Sequence, residues 1–318
     1  MARGRMHGSG ANARDARVKW ALGQSLWVTA MVLLALVGGY LTISASALLV
    51  FLLTTALTLC FGHSLGMHRL LIHRSYETHQ VTEYLLVWLG TLVGLAGPRG
   101  LLYTHDLRDW AQRQGRCHDF FAHRRGMLQD AWWQLHCRVE LDRPPIFRLE
   151  RRIHEDPIYR WLERTWMAQQ LSPALLLYLG GGLPWVIWGV CVRVSVSMIG
   201  HWWVGYFAHN DGHRPRHLAG AAVQGTNLAR WCGLITMGES WHNNHHAFPE
   251  SARIGLEPTE WDPGWWCLRL MRACGLAWSL REFSPGDPVS PRSARPAGAV
   301  IPRGNRTLRS PAPGRAPG

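Results

Sequence analysis

The chain lacks the usual devices for closing a fold by covalent or cofactor staples. Its seven cysteines form no Cys-x-x-Cys pair and no regular spacing. That excludes a disulfide framework, a cysteine zinc site and an iron–sulfur ligand set. No Gly-rich dinucleotide fingerprint follows a strand-like run, no segment is spare for a haem domain, and no internal repeat recurs. Charge is also missing where it matters: no charged residue occurs from Trp20 to Gly62. Such a run holds two membrane spans of roughly 20 residues each, with a turn at Gly38-Gly39-Tyr40. It is too long for a cleavable signal peptide and shows no small-residue cleavage site.

What charge there is sits outside the apolar runs. The 318 residues carry a formal net charge of +13, of which residues 1–19 hold +4 and residues 284–318 hold +5. This distribution argues against a nucleic-acid partner and reads as two solvated, disordered ends. A second apolar region, Leu171 to Ala208, is broken by Gly180-Gly181-Gly182-Leu183-Pro184. Its second arm contains Arg193, which is costly in lipid and therefore faces protein or water. A third stretch, Tyr84 to Gly97, is short for a span and suits a buried or interfacial helix. The basic N-terminus, the middle loop with Arg113, Arg116, Arg124, Arg125, Arg151 and Arg152, and the basic tail all suit the cytoplasmic side. The expected fold is an all-α membrane protein. Four transmembrane helices (about 22–41, 43–62, 169–183 and 185–207) form two hairpins, and a cytoplasmic helical cap is built from 63–168 and 208–283.

The histidines follow from that topology. Seventeen are present. His63, His68 and His73 come after the first hairpin; His209, His213 and His217 after the second; His242, His245 and His246 soon follow. Two hairpins returning to one face bring these groups to the same membrane surface. His242, His245 and His246 are spaced i, i+3 and i+4, so a helix points all three from one face. Neutral imidazoles so gathered suit Fe, Zn, Cu or Ni. His68 and His73 are five apart, about 140° on a regular helix. Either the helix ends between them or each serves a different metal, which suggests a dinuclear site.

Three segments carry a family resemblance. HRLLIHRSYE at 68–77 resembles the first histidine box of the membrane fatty acyl desaturases, the acyl-CoA delta-9 type in particular. GESWHNNHHAFP at 238–249 resembles their third box, including the flanking Gly-Glu and Phe-Pro. VGYFAHNDGHRP at 204–215 resembles the segment that supplies one further histidine ligand, here His209. The likeness runs from about Trp20 to Phe283, so 20–283 is expected to form the desaturase domain between a disordered 1–19 and a disordered 284–318.

Two departures from the pattern stand out. The second box, His-Arg-x-His-His in the family, reads THDLRDWAQ here: His105 is kept, and Arg108 and Asp109 occupy the positions of the last two histidines. Asp109 is i+4 from His105 and is either a substitute carboxylate ligand or the partner of Arg108 or Arg113. His63, His118 and His123 are further candidates for the vacancy. Gly205 stands where the acyl-CoA type has an asparagine that reaches the metal through water.

The resemblance implies two iron ions held by His68, His73, His105, His209, His242, His245 and His246, with Asp109 as a provisional ligand. Adjacency places Asp106, Glu239 and Asn243 where they would orient the imidazoles. The implied reaction is O₂-dependent removal of two neighbouring hydrogens from an acyl chain, giving a cis double bond and water. No acid–base side chain can abstract hydrogen from a methylene, so a redox metal is required. A hydroxylase on the same scaffold, or a non-catalytic relative acting as a regulator, remains open at this stage. The implied substrate is an acyl-CoA or a lipid-linked acyl chain, in the bilayer. Electrons would come from a separate ferredoxin or cytochrome b5 type of donor. The Trp132, Trp133, Trp202 and Trp203 side chains either anchor the interface or line an acyl tunnel. The arginine-rich loop either binds a phosphate-bearing headgroup or only obeys the topological charge bias.

Overall fold

The computed structural model describes residues 5–8 and 10–289. The fold is mostly helical. Among the described residues, three helices are long and apolar enough to cross a membrane: Leu22–Leu41, Ala45–Ile72 and Ala168–Asn210. Their outward surface is apolar, with Leu36, Leu53 and Leu179 among the exposed side chains, as expected of a lipid-facing surface. The first, α1, is Leu22–Leu41; α2 is Ala45–Leu57 and opens with Ser44 as its cap, whose hydroxyl accepts from the Ala47 N–H.

From Thr58 to Ile72 the second long helix widens to i→i+5 hydrogen bonding. The expected end of this helix near residue 62 therefore moves about ten residues on. Arg69, the first charged side chain, does not stop it. Its guanidinium is buried against Asp262, with Nη2 donating at 2.7 Å, and Nη1 donates to the Ala252 carbonyl.

The third helix, Ala168–Asn210, has 43 residues. A straight helix of that length would measure roughly 65 Å, about twice the hydrocarbon thickness. It is not straight. Gly181 and Gly182 leave helical geometry, and Gly182 has φ 68°, which favours glycine. The reversal brings Gly189 against Leu177, twelve residues earlier. Arg193 is buried in protein, donating to the carbonyls of Gly189 and Leu92 and to Gln170 Oε1.

The 84–97 stretch contributes to α3, Gln80–Leu92, which packs along the wide helix. Glycines allow the close approach: a Cβ on Gly62 or Gly66 would collide with the backbone of Leu89 or Leu86. After α3, the helix α4 (Pro98–Gln112) also packs on the wide helix and carries the second-box residues.

Two expectations are corrected. The fold is not wholly helical, because three two-stranded antiparallel sheets are present. The N-terminal segment is not disordered where it is described. Asn12–Trp20 pairs with Cys137–Arg143, in the register Val18↔Val139 and Trp20↔Cys137, and Met6–His7 pairs with Ile146–Phe147. Ala13 and Val18 of the long strand join a core cluster with Leu107, Phe120 and Phe121, while Arg14, Arg17 and Lys19 are exposed. Of the expected disordered tail, residues 290–318 lie outside the described residues. Residues 284–289 continue the fold, Pro285 accepting from Arg216.

The glycine seam gives a direct test. Gly62→Ala forces a methyl group into the Leu89 backbone, and should destabilise the protein by about 1–3 kcal/mol, read as a lower thermal midpoint in detergent.

Candidate metal centre

The wide helix solves the spacing problem of the first box. In an i→i+5 ladder, residues five apart lie close to one face. The ladder closes with the His73 N–H on the His68 carbonyl at 3.0 Å. His63, His68 and His73 thus line one side, and the His68 and His73 rings lie 4.7 Å apart between centroids. The helix ends at Ile72, between the two, as one of the alternatives expected, but His73 caps it and stays beside His68 in the same group rather than parting from it.

Two groups of imidazoles result. His68, His73, His105 and His245 have ligand atoms all within 4.8 Å of one another, and so do His209, His242 and His246. The two groups adjoin through the short helix His242–Ala247, where the His242 and His245 rings are 5.7 Å apart. The i, i+3, i+4 triplet is therefore split. His245 reaches the first group; His242 and His246, one turn apart, reach the second.

The ring nitrogens fit a metal. His68 Nδ1, His73 Nε2, His105 Nδ1 and His245 Nε2 are buried without a hydrogen-bond partner. Four converging orphan nitrogens would each be costly unless a cation met them. Glu239 Oε2 stands 2.6 Å from His68 Nδ1 but off the N–H direction, while its Oε1 accepts from Ser64. In the second group the His242 and His246 Nε2 atoms are 3.0 Å apart. The His209 Nδ1–H points at the Gly205 carbonyl, which turns Nε2 inward toward Gln112 Nε2 at 3.1 Å.

Burial favours the neutral form, which is the ligand form, at His73, His242, His245 and His246. His73, His245 and His246 are pushed well below their ordinary value by loss of water, reinforced by neighbouring imidazoles. His242 is lowered to about 4, again chiefly by burial. Asp109 belongs to neither group, although its carboxylate senses His105, His242 and His68. Burial acts to raise its carboxyl, but His105, Arg113 and His242 outweigh that and hold it below the usual range. Its Oδ2 is 3.5 Å from Arg113 Nη2, and it makes no ion pair with Arg108.

Arg108 turns away from the centre. It contacts His123 Nε2 and donates to Gln134 Oε1 at 2.6 Å. His123 in turn donates from Nδ1 to Asp130 at 2.9 Å, and Asp130 also accepts from Trp202 Nε1. His123 belongs to neither imidazole group, its Nε2 facing the Arg108 cation; it stacks on His209 at 5.1 Å. Gly205 is explained by the same ring: a Cβ there would lie 3.2 Å from His123. The two departures from the family pattern are thus one local rearrangement.

Other candidates fall elsewhere. His118 caps Asp119–Ala122 and stacks on Trp133. His63 lies beside His201, at 5.1 Å, at the edge of the first group. Among the expected orienting residues, Glu239 reaches an imidazole. Asp106 and Asn243 do not: Asp106 pairs with Arg5, and Asn243 holds the backbone of Arg216 and Gln224. Arg5, Gln112 and His201 were not anticipated. None lies in a recognisable motif, and only tertiary contact reveals them.

Comparison with known proteins agrees with this geometry. No family model matches the chain. It is 34% identical over 242 residues to an sn-1 stearoyl-lipid 9-desaturase of Anabaena variabilis, covering 74% of this chain and 82% of that protein. The chain belongs to the fatty acyl desaturase family. The desaturase is also 32% identical to an sn-2 palmitoyl-lipid 9-desaturase of Nostoc, over 76% of this chain and 83% of the relative. Identity to an acyl-CoA C20 Delta5-desaturase of Anemone leveillei is 29%, over 70% and 69%. The desaturase is therefore an oxidoreductase of lipid metabolism, and its histidine groups provide places for metal.

The depressed imidazoles predict a pH dependence for the metal-free desaturase. A group lowered in the folded state adds stability above its unfolded pKa, near 6.5, and that stability is lost as pH falls through the folded value. For His242, lowered to about 4, the loss is on the order of 3 kcal/mol between about pH 6.5 and 4. Denaturant unfolding across that range checks it; a flat profile would contradict neutral burial.

Proposed function

We propose that the desaturase introduces a cis double bond into a long-chain acyl group through a di-iron centre at the cytoplasmic face of a membrane. The observation that carries the reading is the pair of adjoining imidazole groups, the first of which has buried nitrogens without a hydrogen-bond partner. Four histidines (His68, His73, His105, His245) would hold one iron. His209, His242 and His246 would hold the other, with Asp109 supplying a carboxylate. Iron in such a site supplies O₂ activation.

The chain's own groups position and dry the site. Glu239 places a carboxylate beside His68, and the Gly205 carbonyl fixes the orientation of His209. Arg108, drawn aside by His123 and Gln134, leaves the second group free of its cation. The groups lie at the C-terminal ends of the two longest apolar helices, where an acyl chain arriving from the bilayer would meet them.

Four spans in two hairpins, with both ends and the centre on the cytoplasmic side, fit the reversal at Gly181-Gly182 and the charge bias. The relatives named above act on acyl-lipid or acyl-CoA substrates, and we assign this chain the same two carriers as candidates. A separate reduced carrier, ferredoxin or cytochrome b5, would deliver electrons.

The test is expression with a reductase system and profiling of host acyl chains. The product should lose two mass units of hydrogen, with about two irons per chain. His245→Ala should abolish the product. Asp109→Asn should weaken iron retention about 10–100-fold. Gain of one oxygen would identify a hydroxylase; an iron content near zero would identify a non-catalytic relative.

A further inference from the structure

Arg5 stands apart from every motif in the chain, yet it is buried next to the first imidazole group. Its side chain is 8% exposed in residue terms. The guanidinium makes contacts in three directions. Nη2 donates to the Leu71 carbonyl and Nη1 to the Ile72 carbonyl, each at 3.0 Å. Nη1 also reaches Asp106 Oδ2 at 3.0 Å, and Nε donates to both oxygens of Glu150 at 2.9–3.0 Å.

These partners are not arbitrary. Leu71 and Ile72 are the last residues of the wide helix, directly before His73 and a turn past His68. Their carbonyls form the negative end of that helix, where a cation is favoured. Asp106 follows His105 on α4. One planar fork therefore ties together the two elements that bring three of the four imidazoles. Glu150 balances the charge and holds the fork from behind, itself pairing with Arg74 at 2.8 Å. The backbone fixes the approach: the Arg5 carbonyl accepts from the Arg148 N–H at 2.9 Å, and the next two residues pair with Ile146–Phe147.

We propose that Arg5 is a positioning residue for the metal centre, setting the distance of His68 and His73 from His105 so that one metal meets all of them. This rests on the two-metal reading above. The second group, His209, His242 and His246, has no contact with Arg5 among the described residues and serves as an internal control. Lysine keeps the charge but is a point donor without the fork. It cannot span two carbonyls and a carboxylate together.

The experiment uses the full-length protein loaded with cobalt(II), whose absorption reports imidazole coordination, and follows release to a chelator. The wild type should hold two cobalt ions. In Arg5→Lys and in Asp106→Asn, one cobalt should leave about 10–100-fold more readily, as when an outer partner of a metal ligand is lost, while the other is unchanged. Arg17→Ala, which removes only an exposed pair with Asp142, should match the wild type. Wild type holding two ions with both variants within twofold of it overturns the role of Arg5 alone. Equal loosening of both ions also overturns it, as a general folding defect. A wild type that binds no cobalt overturns both the role and the two-metal reading.

Discussion

Imidazoles serve as metal ligands only when neutral and aimed at a common point, and for the first group that aim depends on the i→i+5 hydrogen bonding of Thr58–Ile72. A regular helix would carry His73 well away from His68. The wider ladder restores them to one side, and everything that touches this helix holds it in place. Glycines at 62 and 66 let α3 lie directly on its backbone. Arg69, fully buried, joins it to Asp262 and to the Met237 carbonyl in the loop leading to the third box. A buried pair of this kind adds little net stability over an apolar pair, but losing one partner is severe. Its value is in register: it sets where His245 stands relative to His68.

The second imidazole group shows how a ligand set is altered without loss of its surroundings. Replacing a histidine by Arg108 brings a cation to a site meant for one, which would repel a metal. The side chain is instead neutralised outside the centre, through His123, Asp130, Trp202 and Gln134. His123 needs room to do this, and Gly205 provides it. The remaining replacement, Asp109, pairs with Arg113, whose cation favours its charge.

The small sheets tie the polar part of the chain to the apolar part. The strand Asn12–Trp20 leads directly into α1 and pairs with the strand that follows Met127–His136. Ser25 and His136 join at the same corner, at 2.8 Å. The segment before the first apolar helix is thus part of the support for the metal centre rather than a solvated lead-in.

The apolar runs, the glycine-proline break at 180–184 and the histidine spacings were sufficient on their own to indicate long lipid-compatible helices and a clustered set of metal ligands. These are local properties: lengths, breakers and residue types that any packing must respect. The boxes around His68 and His245 were legible for the same reason. The division of seven histidines into four and three, the widening that unites His68 with His73, and the diversion of Arg108 were decided only in the tertiary structure. So was the burial of Arg5 from a segment whose composition suggested disorder. Each of these turns on contacts between residues far apart in the chain, where geometry, and not residue type, determines whether a charge meets a partner, a metal or water.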